Sequence, residues 1–563
     1  MRRWFTLLLA LAVCTLAAAQ EEDILRAALY LSGAASPEEI PEEWINLLEG
    51  ARRIRINDPR LRPGPLLSAY QVASLADYRS RSGDILSFEE LALVDGFSRE
   101  AVAALAPFLS LESARLPGSA DTARVQGSAF VRSTLTALGG KAKVNGQGFR
   151  LGGALRGNSS AGLDGTFYGE VSGRLGRLVV GDYNLRFGQG LQLWSGFSMS
   201  SLSTVGAFLQ RSTGLSPVWS YTSSSVNRGL GYEGSIGRQG QLVAFASLDG
   251  LYGVHGAFLG RWGQLGASLG WKGNPLLGEA SDPGQAFASL DGRMNCKGVS
   301  GAFELAWKPG ALAGKLAARS RLGESFELAL QARALPSRYS GKKNGEYAVA
   351  AGLAYTSGNW RSLQGKTGFG SSVPVHKLSL TADAALLPIP ASGAAAADPW
   401  RLQLRAYASW QWQLSSRWAL DARLTERFRN YEASRTDVRA DLRLDSGPWL
   451  SVLRVEGVHC EGWGGLVYWE GGYKAEALSG YFRLTGFLID KWADRIYTYE
   501  RDAPGTFSVP AYSGRGLSVS AVGSWKHRFL SRFTLKVYAR AACSFRVGRT
   551  PAPTLNLQIQ LDR

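Results

Sequence analysis

Two periodicities divide the chain. From Gln20 to about Arg115 apolar residues recur at helical spacing, as in Ile24, Leu25, Ala28 and Leu29, a stretch that Asp23 is placed to cap. Ser36-Pro37-Glu38-Glu39 reads as a helix start, with proline in the first turn and carboxylates behind it. Further helical stretches run over 71–81, 87–94 and 98–109; Ser87 with Glu90 has capping-box spacing, and Ser98 is a good N-cap.

From about Ala123 to Arg563 the period falls to two, with Pro117-Gly118-Ser119 at the junction. Leu402, Leu404, Ala406, Ala408, Trp410, Trp412 and Leu414 share one face, against Arg401, Gln403, Arg405, Tyr407, Ser409, Gln411 and Gln413 on the other. Leu424, Val438, Ala440, Leu442, Val537 and Ala539 belong to later apolar faces, opposite Arg423, Arg439, Arg443, Lys536 and Arg540. The alternation continues for about 440 residues with no helix between segments, too long for a sandwich, and many segments approach the ~9–11 residues that cross a bilayer as tilted strands. The fold class this predicts is mainly β: a large transmembrane antiparallel barrel of about 22 strands (range 16–24) preceded by a small all-α domain.

Composition agrees. Of 563 residues 68 are Gly, and the chain has 17 Trp, 20 Tyr and 23 Phe, which excludes a disordered chain. One long apolar run exists, Leu7 to Leu16, behind Arg2 and Arg3 and ahead of Ala17-Ala18-Ala19; it reads as a secretory signal over 1–19. A lipoprotein signal ending at Cys14 is the rival, opposed by bulky Val13 before the cysteine. The expected division is then 20–115 helical and periplasmic, 116–122 linker, and 123–563 barrel in the outer membrane of a gram-negative bacterium.

The helical part resembles tandem helix-hairpin-helix modules of competence DNA receptors. The resemblance is carried by Ile56-Asn57, Leu75-Ala76-Asp77-Tyr78-Arg79, Gly83, Ser87-Phe88-Glu89-Glu90-Leu91, Val94-Asp95-Gly96-Phe97-Ser98 and Leu105-Ala106-Pro107-Phe108-Leu109. It implies two hairpin turns, Leu66-Leu67-Ser68 and Gly96-Phe97-Ser98. A DNA-binding module has glycines at both ends of each turn; here one of the four remains. Residues 20–115 hold 10 Arg and no Lys against 16 Asp and Glu, a net of −6, which also argues against phosphate binding. Arg52, Arg53, Arg55, Arg60 and Arg62 form a local basic run there.

Three barrel stretches stand out: 180–197, dense in Gly and aromatics; 198–228, Ser/Thr-rich and long enough to enter the lumen as a plug or constriction; and 494–517. With the helical part they resemble a family of gram-negative outer-membrane barrels that carry an N-terminal helix-hairpin-helix segment and whose motifs imply no particular activity. The final strand ends Leu561-Asp562-Arg563, without the terminal aromatic common in such barrels.

Charge then bears on function. Without the signal and the helical part, 51 basic residues face 30 acidic, a net of +21. A lumen lined by Arg401, Arg405, Arg423, Arg439, Arg443, Lys536 and Arg540 favours anions in a water-filled pore; alternatively, charges of both signs pair across it and brace a plugged barrel. Some of the excess can meet lipopolysaccharide phosphates instead.

Catalysis is not expected. His255, His376, His459 and His527 are scattered, adjacent His459 and Cys460 point to opposite strand faces, and no nucleophile elbow or phosphate loop occurs. No cofactor or metal is expected, and Cys296, Cys460 and Cys543 make no disulfide framework. The expected surroundings are outer-membrane lipid and a periplasmic protein partner. Three functions remain open: a pore or transport component with a docking or gating helical domain, an assembly barrel anchoring a partner, and DNA uptake, which charge disfavours.

Overall fold

The computed structural model describes residues 19–562 except 50, 52, 60, 114–124, 147, 159–161, 174, 196–201, 224–225, 238, 261, 274–283, 297, 324, 340–344, 362–371, 389–399, 476, 505, 507 and 530–532. The signal reading and the linker at 116–122 fall outside the described residues.

The helical part comprises Ala19–Ser32, Glu42–Glu49, Ala69–Ser82, Phe88–Leu91 and Arg99–Leu105, with 3₁₀ turns at Pro37–Glu39 and Ala106–Phe108. Asp23 lies inside the first helix and does not cap it. The start at Ser36 yields one 3₁₀ turn only, because Pro41 holds the preceding Ile40 extended (φ −71°, ψ 125°) and delays the next helix to Glu42. Ser68 and Gln71 form a reciprocal capping box; Ser87 accepts from the Glu90 amide, but the Glu90 carboxylate reaches back to the Leu86 amide at 2.8 Å instead of closing a box. A core of Ile24, Ala28, Leu48, Ile56, Leu67, Leu75, Ile85, Leu91, Val102 and Leu105 joins the helices. Buried Asn57 ties them further, donating to the Ile85 and Leu111 carbonyls and accepting from the Ile85 amide. The parallel pairing of Ile54–Arg55 with Leu109–Ser110 joins the segment's middle to its end.

Twenty-four antiparallel strands between Gln126 and Asp562 close into a barrel, the last, Ala552–Asp562, pairing with the first, Gln126–Thr134. The count stands at the top of the expected range because connections such as 309–310 and 447–448 are only two residues long. A four-residue strand, Gly214–Pro217, lies inside the connection 187–226 and extends the ladder of Arg177–Arg186.

The two strand faces separate as the alternation predicts. Leu380, Leu404, Leu424, Val438, Leu453, Leu555 and Ile559 are exposed on the outside, while the alternate positions Asp383, Asp441, Arg454, Glu470, Arg483 and Gln558 are buried. An apolar exterior around a polar interior is the inverse of a soluble protein and suits a lipid surround. Among the described residues no helix is long and apolar enough to cross a membrane.

The barrel's rims differ. One carries the ends at Gln126 and Asp562 and short turns such as 447–448; the other carries the connections 187–226 and 490–513. Both of these fold inward.

Candidate functional site

The helical part and the two inward connections lie within the lumen, bonded to its wall. The sequence suggests a periplasmic helical domain that docks on or gates the barrel; the structure seats it among lumen-facing side chains. The reason is charge: an acidic segment meets a basic interior.

The tight turn that Pro41 enforces presents Glu38 and Glu39 to the barrel wall midway along its strands. The Glu38 carboxylate accepts from Arg454 (Nη1, 2.7 Å), from the Tyr499 amide (3.2 Å) and from Arg439 (Nη1, 3.3 Å). Arg439 and Arg454 are fixed in turn by Asp441, at 2.7 and 2.5 Å from their Nε atoms. This is possible because Asp441 and Arg454 are direct cross-strand partners. Arg454 also lies 5.0 Å from the Tyr468 ring centre, and Arg483 lies 4.1 Å from it on the neighbouring strand. Glu39 meets Arg423 at 3.3 Å and the Ser203 hydroxyl at 2.6 Å.

The remaining attachments surround the segment. Glu43 pairs with Arg186, Lys141 donates to Asn46 at 3.2 Å, and Lys143 donates to the Glu49 carbonyl at 2.9 Å. Lys474 meets Glu22 at 2.6 Å and Lys377 meets Glu100 at 2.9 Å. Buried bidentate and shared pairs of the kind around Glu38 hold far more firmly than exposed ones such as Lys377 with Glu100.

The inward connections bear on the same segment. Thr204 donates to the Gly33 carbonyl at 2.5 Å, and Arg211 donates to the carbonyls of Pro65 (3.0 Å) and Leu66 (2.6 Å). Gly33 has φ +70°, and a Cβ there would stand 2.7 Å from the Ala207 backbone, so the close approach requires glycine. Val205, Phe208 and Leu209 pack on Ala302, Ala317, Ala329, Ala350 and Ala354, a wall of small side chains that makes room for the connection. At 187–192 the chain wraps a strand-borne carboxylate: Glu304 accepts from the amides of Gln189, Leu191 and Gln192 at 2.6–3.1 Å.

The second connection, 490–513, is pinned by its own acids. Asp502 meets Arg132 at 3.0 Å, Asn556 at 2.9 Å and Arg540 at 3.8 Å, while Glu500 pairs with Arg540 and Tyr512.

The residues singled out from sequence are distributed as follows. Leu66 and Leu67 are buried in the helical core, Ser68 caps Ala69–Ser82, and Ser98 caps Arg99–Leu105. Gly96 adopts φ +82° beside the Tyr70 ring, Phe97 is buried, and the Gly96 carbonyl accepts from Gln71 at 3.0 Å. The Ser68 amide is taken by Gln71 and the Leu66 carbonyl by Arg211, so the first turn is engaged within the protein.

Of the basic residues, Arg423 and Arg439 hold the helical segment and Arg540 holds the 490–513 connection. Lys536 pairs with Asp562 at 2.9 Å and Arg443 with Asp421 at 3.4 Å. Arg401 stacks over Tyr431, and Arg405 stands opposite Asp383 in the strand register.

Arg454 and Glu38 escaped the sequence reading. Arg454 lies in the strand Trp449–His459 on a face that mixes Leu450, Val452 and Val458 with Arg454 and Glu456, so no clean apolar–polar alternation marks it. Glu38 was legible only as a first-turn carboxylate.

Burial pushes the Glu38 carboxyl up, but the Arg439 and Arg454 guanidiniums outweigh it and hold it well below the usual carboxylate range. A carboxyl lowered in the folded state stabilises that state above its unfolded value and loses the effect as pH falls through the lowered one. Seating of the segment is therefore expected to be insensitive to pH from about 8 down to about 5 and to weaken only below roughly 4. Protease accessibility of residues 33–49 measured across that range checks it.

No family profile matches the chain, and no curated protein matches it. Solved structures that align with it include the ferric-catecholate import receptor Fiu of E. coli K12 in its open form (11% identity, 78% of this chain and 82% of that one, TM-score 0.35). The FpvAI–pyocin S2 complex aligns at 10% identity over 78% and 73%, TM-score 0.38. The outer membrane protein opdK of Pseudomonas aeruginosa aligns at 11% over 78% and 99%, TM-score 0.30. At these values nothing about cargo or partner carries over.

Proposed function

We propose that the protein is an outer-membrane transport barrel of a gram-negative bacterium whose acidic N-terminal segment is a displaceable lumen plug. The carrying observation is Glu38, held at once by two wall arginines and by the amide of an inward connection. On the rule that surface loops are long and periplasmic turns short, 187–226 and 490–513 close the lumen from the cell surface and the helical segment enters from the periplasm. Release of the segment would expose the arginines it now neutralises and favour anions.

Deleting residues 20–113 tests this in planar bilayers. The intact chain should pass little current, and the deleted chain a larger, anion-favouring one; indistinguishable currents would sink the reading.

A second reading, a barrel that anchors a partner, is favoured by Leu86 and Leu93, which are 80% and 79% exposed on the segment. A partner that co-purifies and is lost on Leu86→Ser with Leu93→Ser would support it. Helix-hairpin-helix ancestry suits the two serine-capped turns, but DNA capture is opposed by the −6 charge and by the engaged Ser68 amide and Leu66 carbonyl.

A further inference from the structure

Every part of the closure contributes to one cavity near the rim that carries the strand ends. Ile24, Ile45 and Glu49 come from the helical segment, Trp219 from the 187–226 connection, and Tyr499 and Ala503 from 490–513. The barrel wall completes it. The space holds about six water molecules, the bulk of a single six-membered ring with its substituents.

The lining has two characters. Phe130, Trp219, Tyr481 and Tyr499 supply aromatic surface, with Trp219 set edge-on to Phe130 at 5.9 Å. Ser479 and Gln560 supply hydroxyl and amide groups, and the Thr506 hydroxyl, buried without a protein hydrogen-bond partner among the described residues, lines the same space.

Formal charge is nearly balanced. Lys536 is compensated by Asp562 at 2.9 Å, and Lys526 is matched in number by Glu49. A charged ligand would find no surplus of the opposite sign, and a hydrocarbon would leave the Thr506 hydroxyl without a partner. A compact molecule with flat C–H faces and a rim of hydroxyls satisfies both sets.

We propose that this cavity binds one neutral sugar ring, and that the bound ring bridges the helical segment, both inward connections and the wall. The proposal depends on the transport reading only in placing the cavity on the route; binding itself is a property of the closed state.

The test uses the full chain in an amine-oxide detergent, free of sugar headgroups. Saturation-transfer NMR and calorimetry are run with glucose, galactose and N-acetylglucosamine, and with glucuronate and glucosamine as charged counterparts. At least one neutral sugar should bind at millimolar concentration and better than its charged counterparts. Ala503→Trp, which fills the space, and Gln560→Leu, which removes an amide, should each weaken it at least about tenfold while the barrel keeps its heat-modifiable gel mobility. Binding by none of the neutral sugars, undiminished binding by the filled variant, or preference for a charged sugar would overturn the proposal. Sugar binding in a chain that never conducts after deletion of 20–113 would leave the site and remove transport; conduction without sugar binding would do the reverse.

Discussion

Glu38→Arg is expected to unseat the helical segment and raise bilayer current sharply above that of the unaltered chain. The substitution places a third guanidinium beside Arg439 and Arg454, which now share Glu38 and Asp441. Removing one partner from a buried ion pair costs about 3–5 kcal/mol, because the other charge is left desolvated and unpaired. Reversal adds repulsion to that loss. Glu38 also accepts the Tyr499 amide, so that hydrogen bond between the 490–513 connection and the segment is lost in the same step. The exposed pair of Lys377 with Glu100 cannot make up the difference, since such pairs are worth about 0–1 kcal/mol. Glu38→Gln keeps the shape and some hydrogen bonds, and its current should lie between the two. A Glu38→Arg chain that stays as closed as the original would show that the segment is held by something other than this cluster.

Asp502→Ala is expected to weaken the barrel itself. Asp502 bridges Arg132 on the first strand, Arg540 on the strand before the last and Asn556 on the last, so it fastens the seam where the ends of the barrel meet. Its loss leaves Arg132 without its carboxylate at a site only 9% exposed, again a cost of about 3–5 kcal/mol. Asp562 fastens the same seam from the last strand, accepting from Ser128 at 2.6 Å and pairing with Lys536. Gel heat-modifiability should therefore shift to clearly lower temperature in Asp502→Ala and further when Asp562→Ala is added. An exposed carboxylate such as Asp77, treated the same way, should shift it little.

The barrel was legible because lipid imposes a strict period of two and leaves the apolar face as the outer one. The alternation through Leu402–Leu414 and Val438–Leu444 states it directly, and the 24 strands fall within the expected range, at its top because several connections are short. The helical elements were legible through Ser87 and Ser98, each of which caps a helix, whereas Ser68, read only as part of a hairpin turn, caps one as well. What periodicity cannot express is where one domain sits in another. Nothing local in Pro37–Glu39 says that its carboxylates face Arg439 and Arg454, which lie some four hundred positions along the chain. Charge held a weak form of that information: a −6 segment and a +21 barrel are complementary, and they close on each other. Arg454 was hidden because Leu450, Val452 and Val458 share its strand face and blur the alternation, and Asp502 because it lies in a connection where no period operates.

The N-terminal helices occupy the lumen of their own barrel. Asn46 tests it most directly, since it receives Lys141 from the wall at 3.2 Å. A photo-crosslinking amino acid in place of Asn46, irradiated in intact membranes and followed by peptide mass spectrometry, should join the helical segment to strand Ala137–Asn145 of the same chain. Crosslinks only to other proteins, or to none of the barrel's inner faces, would contradict the account.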